Sequence, residues 1–189
     1  GDLSAILIEN VPFWAEFIKT PKPEIALMDK WEEKLESITK TTIKENVTNL
    51  AGVPSWMLVL INHILNYTGK KNLLEVWPNL ELFIHGGISF TPYRKQFQKL
   101  IPSDKMQYLE TYNASEGFFA IQDDPCTNDM LLMLDLGIYY EFIPMDSFGT
   151  KNQQILTIEE VEQNINYAIL ISTNSGLWRY LIGDTVKFT

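Results

Sequence analysis

Cysteine and histidine are scarce in this sequence: Cys126 is its single cysteine, and it has two histidines among 189 residues. One cysteine cannot form an internal disulfide, and so few soft ligands argue against a zinc site. The longest apolar stretch, residues 54–67, is shorter than the roughly 20 residues that span a bilayer. The acidic start does not resemble a secretory signal peptide. We therefore expect a cytoplasmic protein with no membrane partner.

Basic residues are also few. The sequence has 15 lysines and arginines against 24 acidic residues, which gives a formal net charge of −9. Nucleic acids are bound through clustered Lys and Arg, so the composition disfavours a nucleic-acid partner. With 46% hydrophobic residues the chain has an ordinary globular balance. Nothing in it indicates an obligate protein partner, and one small anionic ligand needs only local donors.

Helical patterns dominate the first third of the chain. Apolar residues recur at helical spacing over residues 24–49, which predicts an amphipathic helix. Residues 54–67 predict a buried helix, because Pro54 stands in its first turn and Gly69 follows its end.

The next segments read as strand, helix and strand, at residues 80–85, 92–100 and 106–110. A connection of this length predicts a right-handed crossover between parallel strands. The loops after the two strands, at Gly86-Gly87 and residues 112–116, then reach the same carboxyl edge of one sheet. Open α/β sheets bind their ligands at that edge.

The second half of the chain is richer in antiparallel strand signals. Thr157 and Glu160 have the spacing of a capping box, which predicts a short helix to about Asn166. Hairpins are predicted at 131–134 with 138–143 and at 167–173 with 177–180. The fold class is therefore α/β, with a helical and parallel part over about 1–117 and a strand-rich part over about 118–189.

The stretch from Thr111 to Ala120 carries the chemistry that a nucleotide needs. The Tyr112 ring can stack on a base, although a core tyrosine beside a turn is the ordinary alternative. The small pair Asn113-Ala114 lets backbone N–H groups approach a ligand, and Ser115 can donate to a phosphate. Glu116 is the hard ligand that Mg²⁺ prefers, if it is not simply a solvated carboxylate.

A second stretch, Gly176 to Asp184, offers an acid for ribose hydroxyls and a cation for an anion. Asp184 follows Gly183 in a predicted turn, where such a pair is common. Arg179 is a candidate contact for a phosphate or carboxylate, with a paired or surface arginine as the alternative. A serine hydrolase is disfavoured, because the glycine expected two residues before Ser115 is missing.

These motifs resemble those of the auxin-responsive GH-three family, the acyl-acid–amino-acid amido synthetases of the adenylate-forming, luciferase-like superfamily. The resemblance is most specific at Tyr112-Asn113-Ala114-Ser115-Glu116-Gly117 and Gly176-Leu177-Trp178-Arg179-Tyr180. Further segments that share it are Leu50-Ala51-Gly52-Val53-Pro54-Ser55-Trp56-Met57, Trp77-Pro78-Asn79-Leu80, Gly86-Gly87, Thr91-Pro92-Tyr93-Arg94 and Ile182-Gly183-Asp184.

The resemblance implies a luciferase-like large domain and roles for individual residues. ATP or AMP would contact residues in three places, which are Gly86 and Gly87, Thr111 to Ser115, and Arg179 and Asp184. Within them Tyr112 would stack on adenine, Ser115 would contact phosphate and Asp184 would bind the ribose. Glu116 would hold Mg²⁺. Ile88, Ser89 and Phe90 would line an acyl pocket.

The implied reaction has two steps: ATP activates a carboxylic acid as an acyl-adenylate, and an amino acid then displaces AMP to form an amide. The family's phosphate loop would precede residue 1 and its small C-terminal domain would follow residue 189, so the chain reads as a central piece of the large domain. Leu181 stands where many relatives have arginine. An acyl-CoA ligase and a noncatalytic acyl- or metabolite-binding module remain alternatives.

Overall fold

A computed structural model describes Ile6 and residues 8–189 of the chain. They form two compact units, a first unit that ends at Ser115 and a second unit that begins at Glu116. None of the helices in the described part is long and apolar enough to span a bilayer.

Within the described residues, the first unit contains short to medium helices and three strands. The helices are α1 (Pro23–Ala26), α2 (Trp31–Thr42), α3 (Pro54–Thr68) and α4 (Arg94–Leu100), and the strands are β1 (Asn49–Gly52), β2 (Leu82–Gly86) and β3 (Gln107–Ala114). Single 3₁₀ turns lie at Phe13–Phe17 and Leu73–Glu75. The predicted buried helix is confirmed as α3: Pro54 opens it, and Gly69 caps its end in the left-handed conformation with φ 68°.

The three strands of the first unit are parallel, in the order β1-β2-β3. β2 is joined to β3 through α4, so the predicted parallel crossover is confirmed. In the register of the sheet, Gly52 pairs with His85 and Gly86 with Thr111. The ends of all three strands therefore lie at one carboxyl edge.

The predicted helix over residues 24–49 is wrong in its extent. The segment instead contains two helices, α1 and α2, because Lys30 between them has an extended backbone that a continuous helix cannot contain. The helix α2 restarts at Trp31 with Glu32 and Glu33 in its first turn, where acidic side chains interact favourably with the helix dipole. The end of the predicted helix is in fact the start of strand β1.

The core of the first unit lies between the sheet and helices α3 and α4. Ile61 and Ile64 of α3 are completely buried, and so are Phe83 of β2 and Phe97 of α4. The Phe83 and Phe97 rings stack with centroids 4.8 Å apart. The Trp77 indole is also buried and donates its N–H to the Thr42 carbonyl oxygen at 2.9 Å.

The second unit contains five strands, of which β6-β7-β8 form an antiparallel sheet. The strands are β4 (Gly117–Ile121), β5 (Leu131–Leu132), β6 (Ile138–Pro144), β7 (Asn166–Thr173) and β8 (Tyr180–Lys187). The predicted hairpin of 167–173 with 177–180 is confirmed as an antiparallel pair, since β7 pairs with β8, but its second strand begins only at Tyr180. The predicted hairpin of 131–134 with 138–143 is wrong: β5 pairs with β4, and β6 with β7.

The predicted helix from Thr157 is also wrong, although its capping contact forms. The Glu160 carboxylate accepts hydrogen bonds from the Thr157 N–H at 2.8 Å and from its hydroxyl at 3.0 Å. A single turn follows, and then Asn164 adopts a positive φ of 65° that ends any helix. Gln163 instead forms an isolated bridge with Phe188.

Candidate functional site at the carboxyl edge

Gly86 and Thr111 meet closely at the carboxyl edge of the first unit. A Cβ atom at Gly86 would lie 2.5 Å from the Thr111 carbonyl oxygen and 2.7 Å from its Oγ1 atom. Only glycine therefore fits beside Thr111. Gly87 follows with φ 80°, a conformation that favours glycine for a different reason. The glycine pair thus gives this edge a backbone surface without side chains.

The Thr111 hydroxyl ties the ends of β2 and β3 together. It donates to the His85 carbonyl oxygen at 3.1 Å and lies 3.3 Å from Oδ1 of Asn113. In the sequence analysis, the family resemblance assigned Thr111 to the nucleotide site. The structure gives its side chain a definite contact, which fixes the strand ends relative to each other.

The residues of the β3 motif divide between the two faces of the sheet. Thr111 and Asn113 share the face of Gly86, whereas Tyr112 shares the opposite face with buried Tyr108, because side chains alternate along a strand. Asn113 is exposed and Tyr112 is half-buried. The strand β3 runs to Ala114, so most of the predicted loop is strand, and only Ser115 and Glu116 form the turn that follows. Thr111 and Tyr112 are residue types that favour strands.

An aromatic and ionic cluster that sequence analysis missed lies directly below this edge. The His85 ring is buried and stacks on Phe90, with centroids 4.1 Å apart. Within the described residues neither His85 ring nitrogen has a hydrogen-bond partner. The Arg94 guanidinium lies over the Phe90 ring at 5.2 Å and over the Tyr108 ring at 5.7 Å.

Burial and the nearby Arg94 charge both disfavour a charged imidazole at this place. Burial is the larger cause, and together they lower the pKa of His85 to about 4. Burial likewise raises the pKa of Tyr108 to about 12. His85 is therefore neutral at physiological pH. The sequence signal for this cluster was the alternation of Phe83 and His85 on one face of β2.

The predicted acyl-pocket residues differ in their exposure. Ile88 and Ser89 are exposed, whereas the Phe90 ring packs inside the cluster of His85 and Phe97. Phe90 is only 2% exposed, so in this structure its side chain serves the core. The lining role stays a prediction for the other two residues, and the structure favours a packing role for Phe90.

Glu116 opens the second unit as the second residue of a turn and is half-exposed. Among the described residues there is no group of three or more His, Cys, Asp or Glu that could hold a metal ion. Mg²⁺ commonly takes one or two carboxylates and completes its shell with water and phosphate oxygens. A single accessible carboxylate at Glu116 fits that chemistry, and its role as a ligand stays a prediction.

Arg179 forms an ion pair with Glu141 within the second unit. Its Nε atom lies 2.8 Å from Oε2 of Glu141, and its NH2 group contacts the other carboxylate oxygen. The hydrogen bond from Arg179, and then its charge, hold the pKa of the Glu141 carboxyl below its usual range against the opposing effect of burial. The guanidinium thus has the structural partner that sequence analysis kept as the alternative to a ligand contact.

Asp184 lies within strand β8, so the predicted turn at this position is wrong. Between the pairs Leu170 with Leu181 and Ala168 with Thr185 the register shifts, which places a bulge at Ile182-Gly183-Asp184. Gly183 has φ 97° in this bulge. Bulges redirect side chains at functional sites, and Asp184 is exposed here. Its predicted contact with ribose stays a prediction.

Comparison with known proteins identifies the family. The sequence model of the GH3 family N-terminal domain matches residues 1–106, and that of the GH3 family central domain matches residues 131–189. The chain belongs to the GH3 family. The resemblance found in the sequence motifs is thereby confirmed.

Curated relatives of this GH3 chain include plant acid–amino acid ligases. The chain is 29% identical over 182 residues to the 4-substituted benzoates-glutamate ligase GH3.12 of Arabidopsis thaliana. It is 23% identical over 183 residues to the indole-3-acetic acid-amido synthetase GH3.3 of the same plant. Each match covers 86% of this chain but only 30% of the relative. The chain therefore spans about three tenths of the length of these relatives.

Solved structures with the same fold confirm the predicted fold class. The GH3.15 acyl acid amido synthetase matches with a TM-score of 0.69 at 15% identity, over 88% of this chain and 39% of the other. A 2-hydroxyisobutyryl-CoA ligase matches with a TM-score of 0.59 at 12% identity, over 82% of this chain and 32% of the other. The chain thus has the mixed α/β fold of these two enzymes.

Proposed function

We propose that this chain is part of an ATP-dependent ligase that activates a carboxylic acid as its acyl-adenylate and transfers the acyl group to an amino acid. The supporting observation is the close backbone approach of Gly86 and Thr111 at the carboxyl edge of a parallel sheet, in a chain of the GH3 family. Its relatives include a benzoate-glutamate ligase and an indole-3-acetic acid-amido synthetase.

The nucleotide is proposed to contact three groups of residues: Gly86 and Gly87, the β3 end from Thr111 to Ser115, and Asp184. The flat surface of the glycine pair suits a base, and the exposed Ser115 hydroxyl suits a phosphate. Asp184 has a carboxylate that can accept from two ribose hydroxyls. Arg179 is the weakest candidate for an additional contact, because Glu141 already binds its guanidinium.

Glu116 is proposed to hold Mg²⁺, which would neutralise negative charge on the ATP phosphates. The carboxylate of the acid attacks the α-phosphorus, and the amine of an amino acid then displaces AMP. In such chemistry the protein contributes mainly positioning and electrostatic stabilisation, so the chain needs no nucleophile of its own. Ile88 and Ser89 are proposed to border the acid. We also place the protein in the cytoplasm, where ATP and a reduced Cys126 are both expected.

The decisive experiment is pyrophosphate release from Mg-ATP by the intact protein, with a panel of carboxylic acids and with amino acids or coenzyme A as acceptors. Release that depends on one acid, and AMP formation that then requires an amino acid, is the expected result. AMP formation that requires coenzyme A instead would identify an acyl-CoA ligase. Nucleotide or acid binding without any release would indicate a noncatalytic binding module.

A further inference from the structure

An ion pair crosses the antiparallel sheet of the second unit. Glu141 belongs to β6 and Arg179 directly precedes β8, so the central strand β7 lies between them. The guanidinium contacts both carboxylate oxygens, with its Nε atom 2.8 Å from Oε2. The Glu141 side chain is only 11% exposed, whereas that of Arg179 is 60% exposed. The pair therefore fastens the start of β8 to the far side of the sheet.

The backbone of Arg179 is held in an uncommon conformation. Its φ is 46°, in the left-handed region that residues with a Cβ atom rarely occupy. Its N–H donates to the Oγ atom of Ser172 on β7 at 3.0 Å, so two strands of the sheet hold this one residue. Residues kept in such conformations by their surroundings often serve a functional site. We therefore examined what the position of Arg179 determines in β8.

The register of β8 changes shortly after Arg179. Leu170 pairs with Leu181, but Ala168 pairs with Thr185. Between these two pairs, one residue of β7 lies opposite three residues of β8, which form the bulge. The two surplus residues of β8 have to be accommodated between the turn that precedes the strand and the second pair. Fixing the start of β8 keeps them out of the turn and places them in the bulge.

Loss of the bulge would change the environment of Asp184. The first half of β8 would slide by two residues, or about 7 Å, and Asp184 would pair regularly with Ile169. Paired residues share a face of the sheet, and Ile169 lies on the packed face with Phe142 and Tyr167, all three at most 1% exposed. A regular strand would therefore turn the carboxylate toward the core, whereas in the bulge Asp184 is exposed.

We propose that Glu141 and Arg179 are positioning residues: their ion pair fixes the register of the first half of β8, so that the bulge forms at 182–184 and keeps the Asp184 carboxylate accessible to ribose hydroxyls. The inference rests on the proposed ribose contact of Asp184. It gives Glu141 a role and makes the Arg179 guanidinium a structural group instead of a ligand for phosphate. Freeing the guanidinium from Glu141 should therefore weaken ATP binding, whereas freeing a phosphate ligand should strengthen it.

The test compares ATP with 2′,3′-dideoxy-ATP, which lacks both ribose hydroxyls, by calorimetric titration of the intact protein. We expect Glu141→Gln to lower the ratio of ATP to dideoxy-ATP affinity about tenfold, because only the contact with the ribose hydroxyls is lost. Arg179→Lys keeps the charge without the two-pronged contact and should act in the same direction. Glu160→Gln is the matched control: it removes the same charge from an exposed, hydrogen-bonded carboxylate of the second unit and should leave the ratio unchanged.

Amide hydrogen exchange without nucleotide gives a second readout that does not depend on nucleotide binding. Glu141→Gln should speed the exchange of residues 180–184 about tenfold and leave the exchange of the first unit unchanged, because the pair acts locally. Asp184→Asn should leave this exchange unaltered. The double variant with Glu141→Gln and Asp184→Asn should bind ATP no more weakly than either single variant, since both substitutions remove the same ribose contact.

The inference is overturned if Glu141→Gln keeps the wild-type affinity ratio, if it weakens both nucleotides equally, or if it raises ATP affinity as expected for a released ligand. In each of these cases acid-dependent pyrophosphate release by the wild type would still support the proposed ligase. Conversely, a lowered ratio with faster exchange, but no pyrophosphate release for any acid, would support the inference and contradict the ligase. Absence of nucleotide binding by the folded protein would contradict both.

Discussion

A methyl group at Gly86 would lie 2.5 Å from a backbone oxygen, whereas the nearest atom to a methyl group at Gly117 is the tip of the Ile138 side chain at 2.8 Å. The Thr111 backbone is fixed in the sheet and cannot move aside, but a side-chain terminus can. We therefore expect Gly86→Ala to lower the free energy of unfolding by roughly 1–3 kcal/mol. Chemical denaturation of the intact protein measures this change.

Gly117→Ala is the matched control, because both glycines lie in strands and neither has a positive φ. It should cost less than half as much. Equal losses for the two substitutions would show that Gly86 is not restrained by the backbone of Thr111.

His85 gives the protein a predictable response to acid. Its pKa is about 4 in the folded protein and near 6.5 when unfolded, so between these values the unfolded chain binds a proton that the folded one does not. Stability contributed by the neutral ring is thus lost as the pH falls below about 6.5. Arg94 is the nearby charge that adds to this effect.

We expect His85→Phe to be stable at neutral pH, since the ring packs among aromatic residues and its nitrogens have no described partner. It should lose less stability than the wild type between about pH 7 and about pH 5. Urea denaturation at both values measures the difference. An identical loss in the two proteins would show that the imidazole does not titrate differently on folding.

At the scale of elements, helix α3 has a buried and an exposed apolar residue within one helical turn. Ile61 is fully buried against the sheet, whereas Val59 on the same helix is 43% exposed. We expect Ile61→Ala to destabilise the protein by about 2–5 kcal/mol, because it leaves a cavity in a packed core. Val59→Ala should cost less than about 1 kcal/mol. Thermal or urea unfolding of both variants tests whether the buried face of α3 contributes more to stability than its exposed face.

The sequence predicted α3 and the parallel crossover because their signals are local. Helical spacing, Pro54 and Gly69 define the helix, and the length of the connection defines the crossover. The partners of β5 and β6 could not be predicted in this way, since pairing depends on residues far apart in the chain. Gly183-Asp184 has the composition of a turn, yet pairing with β7 holds it in a strand as a bulge.

The candidate site shows the same division between local and non-local information. Topology alone brought Gly86 and the end of β3 to one edge, as predicted. The clash that requires glycine at this position depends on the register of two strands. The alternation of Phe83 and His85 indicates only that His85 faces inward, whereas its contacts with Phe90 and Arg94 depend on how α4 packs on the sheet. The ion pair of Arg179 depends on the distant residue Glu141.

At the scale of the whole molecule, the net charge of −9 opposes the binding of an anionic nucleotide. A substitution that removes an acidic charge could therefore raise nucleotide affinity without any contact. We expect Asp184→Asn to lower ATP affinity about tenfold despite this effect, because ribose hydroxyls would lose a charged acceptor. Calorimetric titration of the intact protein with ATP measures the change.

Asp129→Asn is the control for charge, since Asp129 is exposed and lies outside the predicted site. It makes the same change in net charge and should leave ATP affinity unchanged or slightly higher. Unaltered ATP affinity in Asp184→Asn would remove Asp184 from the nucleotide site.

The burial of Trp77 has a spectroscopic consequence for the protein as a whole. Its indole is 2% exposed, whereas the four other tryptophans, Trp14, Trp31, Trp56 and Trp178, are between 41% and 84% exposed. Trp77 should therefore emit at shorter wavelength than the rest and resist collisional quenching by acrylamide. With the exposed indoles quenched, the remaining emission comes from the first unit alone, and Trp77→Phe should abolish it. The native chain thus carries its own optical probe for the unfolding of one unit.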